Sequence, residues 1–260
     1  MKSKTIFKKI RCPCCFNRLR FKSNQLFCKN NHKFSFKNNI PSLIAENDVE
    51  FLNIWEERAK VNSVSVAPVE SKKYNLLGSL ARRELIKIIL PRTSGNSIVE
   101  VGCGKGQFLQ VLEKINRYDE IWGVDYSYQM LLNNTFKSQK ARMDAHNLAF
   151  ADKSFDISLM ITVLMHNRSI SNIVKELTRI SKKYIILQEG DSTLIPRYFH
   201  KKHIFIRDIK YYEKEFSKYG WSLIYNYKRR ALPLNFVVKN LTGLTFLISS
   251  LSWMVFKKNE

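Results

Sequence analysis

From Tyr74 onward, short apolar runs alternate with segments in which apolar residues recur at helical spacing. The runs that predict strands are SIVEVG, EIWGVD, QKARMD, FDISLMIT, KYIILQE, WSLIYNY and SWMVFKK. The segments that predict helices are YNLLGSLARRELIKIILP, QFLQVLEKI, YQMLLNNTF, SNIVKELTRIS and IKYYEKEFSKY. Strands that alternate with helices imply a parallel sheet covered on both faces. The pattern therefore predicts an α/β fold with a doubly wound, seven-stranded, mostly parallel sheet.

The first 73 residues follow a different pattern. Residues 1–43 are rich in Cys and His, and residues 44–73 form a polar connector. A chain of 260 residues is long enough for one large domain with an appendage. We therefore expect a small N-terminal head over residues 1–43, a connector over 44–73 and the main domain over 74–260.

Three glycines follow the first predicted strand at alternate positions, in the stretch IVEVGCGKGQF. They are Gly102, Gly104 and Gly106, and Glu100 precedes them. Glycines at the end of a strand let the chain turn sharply and let backbone N–H groups approach a ligand. A dinucleotide fingerprint would need its third glycine at position 107, which is Gln107. The spacing therefore favours the other common ligand loop, G-x-G-x-G with an acid two residues ahead.

Acidic residues also end the next two predicted strands. Asp125 ends EIWGVD, and one carboxylate at that place can hold both hydroxyls of a ribose. Asp144 ends QKARMD, and its side chain and the backbone of Ala145 are candidates to contact the exocyclic amine of an adenine. Together with the glycine loop, these residues predict a site for an adenosine-containing ligand.

The stretches VEVGCGKG, GVDYS and DAHNLAFADKSFD, in this order, resemble the class I S-adenosylmethionine-dependent methyltransferases from Leu76 to about Lys257. The resemblance implies a Rossmann-like methyltransferase sheet with S-adenosylmethionine as the cofactor. The implied cofactor-binding residues are Glu100, Gly102, Gly104 and Gly106 at the methionine part, Asp125 at the ribose, and Tyr126, Met130, Asp144 and Ala145 around the adenine. One departure is Ala149, where many members of the family have proline, and we expect it to affect the stiffness of the loop.

Two pairs of potential metal ligands lie in the head. Cys12 and Cys15 are separated by two residues, and Cys28 and His32 by three. Each pair fits a tight turn around one tetrahedral ion, and three thiolates with one imidazole leave no open position. The spacing predicts a structural zinc site, with free core cysteines as the alternative. Cys14 occupies the open position of the first turn and is either a bystander or an alternative ligand.

The order of the head and the main domain resembles the bacterial ribosomal RNA guanine-N1 methyltransferases. In addition, FKNNIPSLI is similar to the tail of small zinc ribbons fused to uncharacterised methyltransferases. The first resemblance implies RNA as a candidate substrate.

The chain is strongly basic, with 44 Lys and Arg against 22 Asp and Glu and a pI near 9.8. This charge favours contact with RNA, an acidic membrane surface or another anionic partner, unless it reflects only a compositional bias toward Lys. The N-terminus has no apolar core of a secretory signal, and four of five cysteines fall within the first 28 residues. We therefore expect a cytoplasmic protein with reduced cysteines.

The residues after the fourth predicted strand, ITVLMHNRS, occupy the place where the family presents side chains to the methyl group. The stretch contains no Asn/Asp-Pro-Pro-Tyr/Phe tetrapeptide and no Pro-Cys pair. These absences argue against adenine-N6 and cytosine-C5 methylation. His166 is the candidate catalytic residue, as a base or a substrate contact, and a packed core histidine is the alternative.

Two further segments bear on the methyl acceptor. The stretch EGDSTLIPRYFHKKHIFIRD is basic, and its Arg197, Lys201 and Lys202 are candidates for phosphate contacts. The apolar insertion 232–250 is a candidate for packing on the core, for peripheral membrane contact or for contact with a greasy substrate.

No transmembrane span is expected. The uncharged run from Asn240 to Phe256 is 17 residues long, and its end is needed for the seventh strand.

Three functions remain open from the sequence. They are an RNA base methyltransferase, a methyltransferase for a small or lipid-linked metabolite, and a non-catalytic protein that binds the cofactor or a partner. The intact glycine loop and Asp125 count against the third.

Overall fold

The computed structural model describes residues 8–45, 72–134, 136–192, 205–229 and 249–260. Its centre is one mixed sheet of eleven strands. The strands are β1 (Arg20–Lys22), β2 (Gln25–Phe27), β3 (Lys33–Lys37), β4 (Ile40–Leu43), β5 (Ser97–Val101), β6 (Glu120–Asp125), β7 (Gln139–Met143), β8 (Phe155–Ile161), β9 (Ser181–Ser192), β10 (Trp221–Arg229) and β11 (Ser249–Lys258). They are ordered β1-β2-β3-β4-β7-β6-β5-β8-β9-β11-β10.

The seven strands β5 to β11 are those that the apolar runs predict. Strands β7, β6, β5, β8 and β9 are neighbours and run parallel, so their carboxyl ends meet at one edge of the sheet. Strand β11 lies between β9 and β10 and is antiparallel to both. The order changes direction at β5, next to β8, and ligands of open α/β sheets bind at such switch points.

Five α-helices are described: α1 (Lys72–Glu84), α2 (Gln107–Ile115), α3 (Tyr128–Leu132), α4 (Ser171–Ile180) and α5 (Ile209–Ser217). The bounds of α2 and α4 follow the predicted segments closely, because each has one apolar stripe that is buried against the sheet. Helix α3 is shorter than predicted and ends at Leu132.

The first predicted helix is interrupted rather than continuous. Helix α1 ends at Glu84, and a π-helical stretch over Leu85–Ile89 and a 3-10 turn over Leu90–Arg92 follow it. The Glu84 carboxylate accepts a hydrogen bond from the indole N–H of Trp253 at 2.8 Å, which ties the end of this helix to β11.

The N-terminal head is part of the main sheet, which differs from the predicted appendage. Strand β4 pairs in parallel with β7, with Ser42 opposite Arg142 and Leu43 opposite Met143. The head and the main domain also share one apolar core, in which Ile10, Leu26, Leu43, Trp122 and Phe150 all belong to the same buried cluster. The sheet therefore has four more strands than the seven that were predicted.

Strand β11 is the closing antiparallel strand that the sequence predicts, although it begins at Ser249, inside the predicted insertion. Residues 232–248 of that insertion lie outside the described residues. So do Arg197, Lys201 and Lys202 of the basic loop. Within the described ranges, no helix is both long and apolar enough to cross a membrane.

Candidate functional site

A cavity of about 240 Å³ lies at the carboxyl ends of the parallel strands β5 to β8. The residues that line it are Val101, Gly102, Gly104, Val124, Asp125, Tyr126, Ser127, Met130, Met143, Asp144, Ala145, His146, Ile161, Thr162, Val163, His166 and Asn167. The predicted residues Gly102, Gly104 and Asp125 are therefore brought together with Tyr126 and Met130. Asp144, Ala145 and His166 also line this cavity.

The three glycines have positive φ but different surroundings. Gly104 has φ +51°, and a Cβ built on it would meet nothing within 4 Å, so its backbone faces open space. A Cβ on Gly102 would lie 2.3 Å from a methyl of Val163, and one on Gly106 would lie 2.2 Å from the Phe136 ring. Gly104 therefore leaves room for a ligand, whereas Gly106 is required by packing and does not line the cavity.

Asp125 joins the glycine loop to the start of α3. One carboxylate oxygen accepts a hydrogen bond from the N–H of Gly104 at 2.7 Å, and the other accepts from the N–H of Ser127 at 2.9 Å. The Ser127 hydroxyl in turn caps α3 by accepting from the N–H of Met130 at 3.2 Å. Because both oxygens are anchored to backbone, the carboxylate is held in one orientation at the cavity wall.

Glu100 is buried beneath the glycine loop and does not line the cavity. Its Oε2 atom has no hydrogen-bond partner among the described residues. Burial, followed by the negative charge of Asp125, raises the pKa of Glu100 well above its usual value. A buried carboxyl with an unsatisfied oxygen is an expensive feature, and a positively charged or N–H group of a ligand would satisfy it.

Asp144 and His146 form the other end of the cavity. A carboxylate oxygen of Asp144 accepts from the backbone N–H of His146 at 2.8 Å and lies 2.9 Å from its ring Nδ1. Burial opposes ionisation of Asp144, but the hydrogen bonds from His146 outweigh it and lower the pKa of the carboxyl below its usual value. His146 was not among the predicted site residues, although it stands within the quoted DAHN stretch.

The segment 162–168 forms another wall of the cavity and carries His166. Glu189 holds this segment in place. Glu189 is fully buried at β9, and its carboxylate accepts from the N–H groups of Val163, Leu164 and Met165 at 2.9, 2.7 and 3.1 Å. The sequence analysis missed Glu189. The signal was an acid at the end of the apolar run KYIILQE, where burial of the strand makes a carboxylate unusual.

A second cluster lies in the head, where Cys12, Cys15, Cys28 and His32 come together as the spacing predicts. Their ligand atoms all lie within 4.8 Å of one another. The Sγ atoms of Cys15 and Cys28 are 3.6 Å apart, and the Cys28 Sγ lies 3.3 Å from Nδ1 of His32. A tetrahedral zinc ion with Zn–S bonds of about 2.3 Å would set its sulfur ligands about 3.8 Å apart, so the four atoms fit such an ion.

Local backbone geometry preforms this cluster. The N–H of Phe16 donates to the carbonyl of Cys12 at 2.8 Å, and that of Asn31 donates to the carbonyl of Cys28 at 3.1 Å, closing a turn at each ligand pair. Cys14 is exposed and lies outside the cluster, in agreement with its interpretation as a bystander.

The head reaches the loop beside the cavity. The Asn147 side chain donates to the carbonyl of Pro13 at 3.1 Å, inside the Cys12–Cys15 turn. The N–H of Arg11 donates to the carbonyl of Ala149 at 2.8 Å. The loop that follows Asp144 is therefore fixed by contacts with the head, including at Ala149, where the sequence departs from the family's proline.

Comparisons with known proteins find methyltransferases among the similar proteins. Residues 99–186 match the family model described as a methyltransferase domain. The chain is 25% identical over 144 residues to an uncharacterised protein of Methanocaldococcus jannaschii, covering 54% of this chain and 61% of that protein. It is 29% identical over 99 residues to the 2-phytyl-1,4-naphtoquinone methyltransferase of Nostoc punctiforme, covering 34% and 43%. The chain thus spans less than two thirds of the length of these curated relatives.

The fold is also that of solved methyltransferases. The magnesium protoporphyrin IX methyltransferase of Synechocystis with bound S-adenosylhomocysteine superposes with a TM-score of 0.51 at 14% identity, over 72% of this chain and 84% of that one. At this identity the likeness shows the fold alone. The fold is therefore one that solved methyltransferases share. The methyltransferase family model matches about a third of the chain, residues 99–186.

Proposed function

We propose that the protein is an S-adenosylmethionine-dependent methyltransferase. The observation that carries the proposal is the cavity at the carboxyl ends of β5 to β8, where the open backbone of Gly104 and the fixed carboxylate of Asp125 face the same space. Asp125 would hold the ribose, and Tyr126 and Met130 would pack at the adenine. Glu100, buried beneath the glycine loop, would act on the methionine part only through that loop.

When bound, the cofactor supplies an activated methyl group on a positively charged sulfur. The acceptor atom contributes an electron pair to the new bond with carbon, and the pair of the broken bond stays on sulfur, which becomes neutral. The protein mainly holds the two reactants in line. An acceptor that carries a hydrogen must also lose a proton, and His166 is the cavity-lining side chain placed to accept it.

We also propose that the head binds one zinc ion through Cys12, Cys15, Cys28 and His32. The ligand atoms fit a closed tetrahedral set, so the ion would have a structural role. Cys12 and Cys28 are buried, which suits a site that is closed to solvent.

For the methyl acceptor, we propose RNA, contacted first by the surface of the head. The first 45 residues contain eleven Lys and Arg and no Asp or Glu, which is half of the net charge of +22. On the sheet of the head, the register places Arg20 opposite Phe27 and Phe27 opposite Lys33, with all three side chains on one face. Cations around an aromatic ring suit phosphates and a stacked base.

A small or lipid-linked acceptor is the second candidate. The match to a naphtoquinone methyltransferase supports it, because that enzyme's name describes an apolar acceptor. Transfer of labelled methyl groups to total RNA or to a lipid extract separates the two candidates. Label in RNA alone supports the first acceptor, label in lipid alone supports the second, and label in neither contradicts methyl transfer to both classes.

Calorimetry with S-adenosylmethionine tests the cofactor. We expect Asp125→Ala to weaken binding by about 1–3 kcal/mol, the cost of losing charged hydrogen bonds. Asp125→Asn keeps the size of the side chain but removes its charge and can accept from only one of the N–H groups of Gly104 and Ser127, so it should also weaken binding. Unchanged affinity in both variants would argue strongly against the proposed ribose site.

A further inference from the structure

One wall of the cavity has a strained backbone. Thr162 has φ +52°, and a β-branched residue rarely occupies this left-handed region. Its N–H donates to the carbonyl of Gln188 at 2.7 Å. Strained residues persist only where surrounding contacts hold them, and they concentrate at binding sites. Val163, which follows, packs against the position where a Cβ on Gly102 would lie, so the strained segment meets the glycine loop.

Glu189 holds the N–H side of this segment. Its Oε1 atom accepts from Val163 and Leu164, and its Oε2 atom accepts from Met165. These three N–H groups come at the start of the 3-10 turn Leu164–His166, where they have no partner within the turn. Hydrogen bonds to a carboxylate are stronger than neutral ones, so one side chain fixes three successive residues.

Arg207 holds the carbonyl side of the same segment. Its Nη1 atom donates to the carbonyl of Leu164 at 3.1 Å, and its Nη2 atom donates to the carbonyls of Asn167 and Arg168 at 2.6 and 2.9 Å. Glu189 and Arg207 share the peptide group between Leu164 and Met165, where Glu189 binds the N–H and Arg207 the carbonyl. Neither side chain lines the cavity.

We propose that Glu189 and Arg207 are positioning residues, which hold the strained wall 162–168 in the conformation that accepts the cofactor. The inference rests on the proposed function for the identity of the ligand. The positioning role explains why the buried carboxyl group of Glu189 lies behind the cavity, where packing alone does not require an acid.

Protonation of Glu189 is expected to weaken its hydrogen bonds to the wall 162–168. Burial raises the pKa of Glu189 to about 7, in spite of the three N–H groups and of Arg207, which act in the opposite direction. Among the described residues, Tyr212 faces Glu189 from α5, and Asp191, which acts on Tyr212, is paired with Lys228 at 2.8 Å. A protonated carboxyl loses part of its acceptor capacity, so the wall is held best above pH 7. Because the pKa of Glu189 is higher in the folded than in the unfolded protein, the protonated carboxyl stabilises the fold at low pH. This contribution to the free energy of unfolding is lost as the pH rises from about 4.5 to 7.

The test compares Glu189→Gln and Arg207→Met with wild type by calorimetry with S-adenosylmethionine between pH 6 and pH 8. Glu215→Gln is the matched control, since Glu215 is also buried but binds Lys218 and Ser171 away from the cavity. We expect about a tenfold weaker Kd for both variants at pH 8 and no change for the control. The Kd of wild type should be lower at pH 8 than at pH 6. The ratio of these two Kd values should be larger for wild type than for Glu189→Gln. Other groups titrate alike in both proteins, so the difference reports Glu189.

Hydrogen exchange of the free proteins gives a readout that does not depend on the cofactor. The amides of Val163, Leu164 and Met165 should exchange faster in Glu189→Gln, while those of the central strands keep their protection. Affinity, pH profile and exchange all within twofold of wild type would overturn the inference. If wild type itself binds no S-adenosylmethionine but the exchange result holds, the proposed function fails and the positioning role stands.

Discussion

At the scale of single residues, the glycines show how the same residue type serves two purposes. Gly104 opens onto the cavity, whereas Gly106 makes room for the ring of Phe136. Both have positive φ, so a residue with a side chain would strain the backbone at either position. Only the structure separates them, because the spacing G-x-G-x-G presents them as equivalent.

This difference predicts unequal losses of stability for the two alanine variants. Gly104→Ala should cost about 1–2 kcal/mol of stability, the price of a left-handed alanine, and should weaken S-adenosylmethionine binding because the methyl enters the cavity. Gly106→Ala should cost about 3 kcal/mol or more, because a clash with Phe136 is added to the same backbone cost. Thermal unfolding and calorimetry on both variants check this. Equal losses of stability would contradict the assignment.

At the scale of elements, the pairing of β4 with β7 decides how the head relates to the site. Strand β7 ends at Met143, which lines the cavity, and the adjoining loop is fixed by Pro13 and Arg11 of the head. Without β4, the edge of β7 would be left with unpaired N–H and C=O groups. The fold of the head therefore stabilises one end of the cavity.

Metal loss is accordingly expected to affect cofactor binding at a distance. Cys12→Ser and Cys28→Ser should abolish binding of one zinc per chain, lower the Tm and weaken S-adenosylmethionine binding, because the head no longer holds the loop at Asn147. Cys14→Ser is the matched control and should keep the metal. Elemental analysis of freshly purified protein gives the stoichiometry. No zinc in wild type, or loss only in Cys14→Ser, would refute the ligand set.

Elements were also the level at which prediction from sequence worked best. The apolar stripes of α2 and α4 and the buried runs of β5, β6 and β8 each indicate one element, because their periods match a single burial pattern. The interruption at Leu85–Ile89 was missed, since the apolar spacing of this stretch is still that of a helix.

At the scale of the whole molecule, half of the net charge of +22 lies in the first 45 residues. The eleven cations of the first 45 residues have no acid among them, whereas all 22 Asp and Glu lie in the rest of the chain. The outer face of the head carries the exposed residues Arg20, Lys22 and Lys33. This arrangement places a basic surface on the head, which contacts the loop beside the cavity.

If RNA is the acceptor, reversing that charge should weaken RNA binding. We expect the triple variant Arg20→Glu, Lys22→Glu, Lys33→Glu to lower affinity for a labelled single-stranded RNA and to flatten its salt dependence, since each phosphate contact releases counterions. The control reverses three exposed lysines on helices α2, α4 and α5, namely Lys114, Lys175 and Lys214. Fluorescence anisotropy at several salt concentrations measures both. Equal losses in the two triple variants would indicate non-specific attraction and contradict a dedicated surface.

The sequence by itself determined most of the strand and helix pattern, the glycine loop, Asp125 and the Cys12, Cys15, Cys28 and His32 cluster, because each depends on local spacing. Only the tertiary structure decided the rest. It joined the head to the sheet through β4 and β7, separated Gly104 from Gly106, and brought Glu189 and Arg207 to the strained wall at Thr162. These features arise from contacts between residues far apart in the chain, which hydrophobic periodicity and motif spacing do not encode.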